Sequence, residues 1–328
     1  MNRGIHNVLT TLKIEPVLVD IGASGEPPPQ WKPIAQHSVY VGFDPDRREL
    51  NDVPNGQYAR AIIISEAITS VPGQSGVHFY LTRSPYCSST LPPDTESLSH
   101  YLFSDLFSVE GEVSVRASSL NAVIDRLGLQ GVDWFKTDSQ GTDLRLFQSL
   151  TDNLRDRVLA VDIEPGLIDA YRGEDLFVDA HRYFIKNGFW LSDLQVKGAI
   201  RMRRSTLEVV SKTDNRITET LVSNANKKSP CWCEARYLRT IESLSERQAS
   251  RRDYALLWVF ALLDRQIGFA LDLAIQYEKV FGTDEIAQLM KHEPILRMKQ
   301  SRQSMLFSLA KSLLPSRVKQ WLKNMVKG

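Results

Sequence analysis

The sequence predicts an α/β protein with a Rossmann-like, mainly parallel sheet flanked by helices, followed by a helical C-terminal extension. Three observations predict this fold. Short apolar runs alternate with helical patterns, a glycine turn follows the first run directly, and an acidic residue ends the second. Parallel strands that are buried on both faces are typically continuous apolar runs. The six runs are Val17 to Ile21, Val39 to Phe43, Ala61 to Ile64, Val77 to Leu81, Val132 to Phe135 and Val158 to Ile163.

Helical spacing of apolar residues marks the segments between and after these runs. Thr142 to Arg155 is predicted to be a crossover helix packed on the sheet, and Phe177 to Asn187 an amphipathic helix that ends at Gly188 before another strand. From about Ser243 the patterns are long and helical without strand-like runs. We therefore expect a Rossmann-like domain over 1–245 and a helical extension over 246–328. The helical patterns of the extension are Asp253 to Phe281, Asp284 to Met290, and Gln303 to Val326 with a break at Pro315.

Composition narrows the classes of partner. Lys and Arg total 40 against 39 for Asp and Glu, so the net charge gives no reason to expect a nucleic-acid partner. The apolar stretch from Tyr254 to Leu263 is shorter than the roughly 20 residues that cross a bilayer.

Three cysteines and no apolar leader favour a cytoplasmic protein. Cys231-Trp232-Cys233 lacks companion ligands at zinc spacing, so we expect no metal.

The first run ends in a glycine turn that is typical of a ligand-binding loop. Glycines there allow a ligand to approach the backbone closely, and an acid at the strand end can accept hydrogen bonds from a ligand amine or hydroxyl. A tight strand-to-helix connection without a ligand is the alternative. We expect ligand contacts from Asp20, Gly22, Ala23, Ser24 and Gly25.

The second run ends in Asp44-Pro45, and Asp44 lies 24 residues after Asp20. An acid about 20 residues beyond a glycine turn, on the neighbouring strand, is positioned to bind the two hydroxyls of a ribose. This spacing predicts a nucleoside cofactor bound at Asp44 and Pro45. The alternative is that Asp44 caps a helix through Arg47 and Leu50.

The segment Phe135-Lys136-Thr137-Asp138-Ser139-Gln140-Gly141-Thr142-Asp143-Leu144 resembles the most specific motif of the FkbM-type methyltransferases, a branch of the class I S-adenosylmethionine-dependent enzymes. The glycine turn is similar to the family's cofactor loop. Gly42 to Pro45 is similar to its second-strand motif, and Ser88 to Leu91 to its double-serine segment. The resemblance spans about residues 15–240 and leaves out the helical tail.

This resemblance implies the class I methyltransferase fold, S-adenosylmethionine as cofactor, and methyl transfer to a hydroxyl, which we expect to belong to a sugar or glycan. It also implies that Ser65 and Glu66 contact the adenine edge, unless they form an ordinary strand-to-loop transition, and that Gln140 shapes the cofactor pocket. The chain departs from the family in two places. An acid and three prolines follow Gly25 where many relatives begin an apolar helix, and Asp44 replaces the commoner Glu.

Three residues are candidates for catalysis. Asp138 follows the fifth run at the ligand-binding edge of the sheet, and Lys136, two residues earlier, is expected on the same strand face. If both enter the pocket, Lys136 keeps the Asp138 carboxylate ionised; otherwise they form a buried ion pair that organises the turn at Gly141. Glu164 ends the sixth run, where it either reaches the acceptor or caps a turn with Pro165.

Two other functions remain open on the sequence. A nicotinamide-dependent oxidoreductase shares the glycine turn and the ribose acid, but Pro27 and Pro28 stand where its third glycine would be. A non-catalytic scaffold would bind a partner through the helical tail. Arg297 to Gly328 holds eight Lys or Arg and no acid, which predicts a basic amphipathic helix. That helix packs on the chain's own core or a second copy, or lies on an anionic membrane surface.

Overall fold

The computed structural model describes residues 3–46 and 56–313, with side chains through residue 300. Their strands form a seven-stranded main sheet and a three-stranded small sheet. The strands are β1 (Val17–Ile21), β2 (Val39–Phe43), β3 (Arg60–Ile64), β4 (Ala67–Ile68), β5 (Gly76–Thr82), β6 (Val109–Ser118), β7 (Trp134–Thr137), β8 (Ala160–Ile163), β9 (Phe189–Ala199) and β10 (Ser229–Arg239).

The main sheet has the order β3-β2-β1-β7-β8-β10-β9. Its first five strands run parallel to their neighbours, whereas β10 is antiparallel to both β8 and β9. The chain winds outward from β1 in both directions, so the strand order reverses between β1 and β7. In open α/β sheets, ligands bind in the crevice at such a switch point, outside the carboxyl ends of the strands. The α/β fold with a mainly parallel sheet is confirmed.

Twelve α-helices lie within the described residues, and short 3₁₀ helices cover Pro29–His37, Pro85–Cys87 and Leu102–Phe107. The α-helices are α1 (Arg3–Thr11), α2 (Thr95–Leu98), α3 (Leu120–Arg126), α4 (Asp143–Gln148), α5 (Asp152–Arg157), α6 (Phe177–Lys186), α7 (Arg204–Thr213), α8 (Glu219–Ala225), α9 (Ile241–Glu246), α10 (Arg251–Leu263), α11 (Ile267–Phe281) and α12 (Glu285–Leu313).

One apolar run does not belong to the main sheet. Val77 to Leu81 lies in β5, which pairs antiparallel with β6 in the small sheet, ordered β4-β6-β5. Strand β6 was not predicted because its sequence alternates apolar and polar residues, Val-Glu-Gly-Glu-Val-Ser-Val-Arg, instead of forming a continuous apolar run. Such alternation is typical of an antiparallel strand with one face open.

The helical patterns differ from expectation at three places. The crossover helix is two short helices, α4 and α5, and the Thr151 amide between them is held by Asn121 Oδ1 at 2.9 Å. The pattern over Asp253 to Phe281 is also two helices, interrupted where Arg265 takes a φ of 61°. The next pattern continues past Pro294 in the single helix α12, and the break predicted at Pro315 lies outside the described residues.

Two hydrophobic clusters lie on opposite faces of the main sheet. Leu18 belongs to one and Val19 to the other, as the alternation of side chains along β1 requires. Helix α10 is buried from Tyr254 to Leu262 and shares the first cluster with the sheet and with parts of α11 and α12. Arg252 on this helix holds the buried Asp133 with two hydrogen bonds of 2.7 and 2.8 Å. Helix α10 therefore packs directly on the sheet, and α11 and α12 pack against α10.

Among the described residues, no helix combines the length and the apolar character that crossing a membrane requires.

Candidate functional site

A cavity of about 770 Å³ opens at the carboxyl ends of β1, β2, β7 and β8. This volume lies in the range of small-molecule sites. The small sheet and the segments around residues 84–90 and 103–107 form the remaining walls. Eight of the predicted site residues line it together: Gly22, Ser24, Asp44, Pro45, Glu66, Asp138, Gln140 and Glu164.

The glycine turn brings two strand ends into contact. The amides of Gly22 and Ala23 both donate to the Phe43 carbonyl oxygen, at 2.9 and 3.0 Å. Gly22 has a φ of 77°, and a Cβ atom there would collide with the carbonyl oxygen of Asp138. Gly25 has the same φ but open space where its Cβ would lie, so only its backbone conformation requires glycine. Ala23 and Gly25 do not line the cavity.

Asp20 lies beneath the cavity and does not line it. Its side chain is buried, and its two oxygens are bound by Lys136 Nζ at 2.6 Å and by the Tyr40 hydroxyl at 3.1 Å. A carboxylate with these partners holds β1, β2 and β7 together. Asp20 therefore fixes the position of the glycine turn that follows β1.

Lys136 contacts Asp20 rather than Asp138, which differs from expectation. The two-residue alternation that would place Lys136 and Asp138 on one face holds only inside a strand, and β7 ends at Thr137. Lys136 is absent from the cavity lining. Burial lowers the pKa of Lys136, but the negative charges of Asp20 and Asp138 outweigh it, so the pKa is raised and the ammonium stays charged.

The Asp20–Lys136 pair belongs to a row of alternating charges across the sheet. Lys136 is in register with Asp20 on one side and Asp162 on the other. Arg236 binds Asp162 at 2.6 Å and continues to Asp264 at 2.7 Å. Each charge in the row therefore has a neighbour of opposite sign.

Asp138 stands in a strained, hydrogen-bonded turn. Gln140 Nε2 donates to Asp138 Oδ1 at 2.6 Å, and the Tyr171 hydroxyl lies 2.9 Å from Gln140 Oε1. Gln140 has a φ of 56°, which is uncommon for a residue with a side chain. Its carbonyl oxygen accepts a 2.6 Å hydrogen bond from Ser89 Oγ. These contacts fix the direction of the Asp138 carboxyl group.

Glu164 is the second acid at the site. Burial, together with the charge and hydrogen bonding of Asp138, raises the pKa of Glu164 to about 9. At neutral pH Glu164 is therefore protonated beside Asp138.

Asp143 is a buried carboxylate that holds the turn carrying Asp138 in place without lining the cavity. It accepts hydrogen bonds from Thr137 Oγ1 at 3.1 Å, from the Ser139 amide at 2.9 Å, and from the Glu164 amide at 2.8 Å. Burial outweighs these hydrogen bonds and raises the pKa of Asp143 to about 6. Asp143 thus fixes the end of β8 relative to the turn that carries Asp138.

Tyr171 and Glu174 are two of the cavity residues that the sequence did not predict. Glu174 accepts hydrogen bonds from the amides of Ala170 and Tyr171, and burial raises the pKa of Glu174 to about 7. Both lie in the connection between β8 and α6, where no periodic pattern singles out a residue. The one available signal was the length of this connection, 164–176, which exceeds the two to six residues usual for such loops.

At the other end of the cavity, Asp44 Oδ1 accepts a 2.7 Å hydrogen bond from the Asp46 amide. The helix that Asp44 was alternatively predicted to cap lies outside the described residues. Glu66 lines the cavity and accepts a 2.7 Å hydrogen bond from Ser118 Oγ, whereas Ser65 does not line it.

The cysteines of Cys231-Trp232-Cys233 are buried, with their sulfur atoms near the carbonyl oxygens of Ser229 and Pro165. Within 3–46 and 56–313, no group of three or more His, Cys, Asp or Glu is arranged to hold a metal ion.

Comparison of the chain with protein-family models and with curated proteins gives no match. The resemblance to FkbM-type methyltransferases therefore depends on the motifs alone.

Proposed function

We propose that this chain is an S-adenosylmethionine-dependent O-methyltransferase. The observation that carries the proposal is the convergence of the glycine turn, Asp44 and Asp138 on one cavity at the switch point of the sheet. A nucleoside ligand in this cavity would lie against the backbone of Gly22 and Ser24, and its ribose hydroxyls would donate to Asp44. The acceptor hydroxyl then lies beside Asp138 and Glu164.

The strand order supports the same class. The run β3-β2-β1-β7-β8 matches that of a nucleotide-binding α/β sheet, and β10 is inserted antiparallel before the edge strand β9. An antiparallel strand in this position is also typical of the class I methyltransferases that the motifs resemble.

The charge of the cavity fits this cofactor. All Asp, Glu, Lys, Arg and His side chains among the described lining residues are acids: Asp44, Asp46, Glu66, Asp138, Glu164 and Glu174. A sulfonium and an ammonium group are both cations, so an acidic lining favours their binding.

The segment after the glycine turn and the acidic lining argue against a nicotinamide dinucleotide as the cofactor. Such a cofactor rests its pyrophosphate on the N-terminus of an α-helix that follows the glycine turn. Here the turn leads into prolines and the 3₁₀ helix Pro29–His37, which lacks a side-chain cap at Pro28. A pyrophosphate would also meet the acidic lining.

The proposed mechanism assigns one task to each carboxyl group. The bound cofactor supplies an activated methyl group, so alignment of the acceptor dominates catalysis. Gly22, Ser24 and Asp44 would hold the cofactor, which would supply its methyl group to the acceptor oxygen, and Asp138 takes the proton that this hydroxyl releases. Gln140 orients Asp138, and Glu164, whose pKa is raised by burial and by the charge of Asp138, lies beside it.

Calorimetry with S-adenosylhomocysteine and with NAD tests the proposal. We expect S-adenosylhomocysteine to bind and NAD not to bind. In parallel, the protein and radiolabelled S-adenosylmethionine are incubated with fractions of a cell extract, and labelled product is expected in at least one fraction. Binding of NAD alone would replace the proposal with an oxidoreductase, and binding of neither would favour the scaffold.

A further inference from the structure

One wall of the cavity is apolar and is not part of any core. Phe79 and Leu81 on β5, and Val113 and Val115 on β6, line the cavity on one face of the small sheet. Phe79 and Val113 are directly opposite each other across the two strands. Among the described residues, none of the four belongs to a hydrophobic core cluster. Leu81 is 40% exposed and Val113 is 39% exposed.

A second apolar surface faces the same cavity from the 3₁₀ segments. Leu106 is 41% exposed and Tyr86 is 68% exposed, and both are lining residues. Phe103 stacks on Trp232 with ring centroids 6.3 Å apart, and both rings line the cavity. Contiguous exposed apolar surface is unfavourable in water and marks a binding site when it lines a cavity.

Hydrogen bonds fix this apolar wall relative to the carboxyl groups. The Tyr80 amide on β5 donates to the Ser89 carbonyl oxygen at 2.8 Å, and Ser89 Oγ donates to the Gln140 carbonyl oxygen at 2.6 Å. Gln140 in turn binds Asp138. A molecule with its hydroxyl at Asp138 therefore extends along a wall that is rigidly attached to the site.

The described lining at the acceptor end of the cavity offers no cation to an anionic group. Asp138, Glu164 and Glu174 lie there, and the described lining holds no Lys, Arg or His. The nearby cation Arg145 is bound to Asp175 at 2.7 Å and is not a lining residue. A phosphate or carboxylate on the acceptor would meet these acids in a half-buried space without a counter-charge.

We propose that the methyl acceptor is an uncharged amphipathic alcohol. Its hydroxyl lies beside Asp138, and its apolar body packs between β5, β6 and the Leu102–Phe107 segment. This inference rests on the proposed function for the identity of the reaction. It refines the sugar expected from the sequence to one that carries an apolar group and no phosphate, and an alcohol without a sugar satisfies the same chemistry.

Matched ligands test the proposal directly. The dissociation constants of methyl glucoside, octyl glucoside, octyl glucoside 6-phosphate and 1-octanol are measured by the fluorescence change of the protein, whose Trp232 lines the cavity. We expect octyl glucoside to bind at least tenfold more tightly than methyl glucoside, and at least tenfold more tightly than its phosphate. Comparison of 1-octanol with octyl glucoside tells whether the sugar contributes to the binding affinity.

A pair of variants on one strand provides the structural control. Val113→Thr places a hydroxyl in the apolar wall without a change of shape, and we expect it to weaken octyl glucoside binding at least threefold. Val109→Thr changes a residue on the same strand that does not line the cavity, and it should have no effect. Equal effects of the two variants would overturn the proposal.

Binding of S-adenosylhomocysteine is measured separately by calorimetry, so the two proposals fail differently. If S-adenosylhomocysteine binds but the octyl and methyl glucosides bind equally, the amphipathic acceptor is wrong and the methyltransferase stands. If octyl glucoside is preferred but S-adenosylhomocysteine does not bind, the apolar site stands and the methyltransferase is wrong.

Discussion

Lys136 Nζ lies 2.6 Å from Asp20 Oδ1, directly across β7 and β1, and this contact joins the two strands that border the cavity. Asp20 is only 2% exposed, so its carboxylate depends on Lys136 for charge compensation. Removal of one member of a buried pair is far more costly than removal of both, because the remaining charge stays buried without a partner.

We therefore expect Lys136→Met to lower the free energy of unfolding by about 3 kcal/mol. The double variant Asp20→Asn with Lys136→Met should recover much of this loss, since it removes both charges. Urea unfolding measures both effects. A Lys136→Met protein with unchanged stability but no methyl transfer would instead assign Lys136 to catalysis.

Asp44→Asn is expected to weaken the binding of S-adenosylhomocysteine about tenfold, because an ionised acceptor binds hydroxyl groups more strongly than an amide does. Calorimetry measures this change. Asp272→Asn, on the exposed face of α11, serves as the matched control and should bind like the unmodified protein. Unchanged affinity in Asp44→Asn would remove the ribose from the proposed site.

Asp138→Asn is expected to reduce methyl transfer at least a hundredfold, since the amide cannot take the hydroxyl proton. Its affinity for S-adenosylhomocysteine should stay within about threefold, because proton removal is not required for binding. A radiolabel assay and calorimetry on the same preparation separate the two quantities. If transfer persists at full rate, alignment alone accounts for catalysis.

Glu164 makes stability depend on pH. Its pKa is about 9 in the folded protein against an ordinary value of 4.5, so between these values the folded state binds more protons than the unfolded state. The contribution of Glu164 to stability is therefore fully present below about pH 4.5 and is lost as the pH rises toward 9.

Glu164→Gln removes this titration. We expect its Tm to exceed that of the unmodified protein by a margin that grows between about pH 5 and about pH 8. Thermal unfolding at several pH values measures the margin. A margin that is constant across this range would show that Glu164 is ionised in the folded state.

Most strands of the main sheet were predictable because they coincide with continuous apolar runs in the sequence. Val17–Ile21 and Val39–Phe43 match the predicted runs residue for residue. In the small sheet only β5 contains a predicted run, Val77 to Leu81. Strand β6 alternates apolar and polar residues, so it has no continuous run.

The candidate site shows where spacing is informative and where it is not. Asp138 and Glu164 could be singled out because each follows a strand directly. Only the partner expected for Lys136 was wrong, because the turn after Thr137 ends the strand geometry on which the inference depended. Tyr171 and Glu174 come from an irregular connection, so only tertiary packing brings them to the cavity.

The close approach of Gly22 to the Asp138 carbonyl has a consequence for evolution and engineering. Any side chain at position 22 would push the neighbouring turn away, and the carboxylate would move with it. A single substitution at position 22 would therefore lower both the affinity for the methyl donor and the rate of methyl transfer. Improvement of the donor site must begin elsewhere, at lining positions such as Ser24 that already carry a side chain.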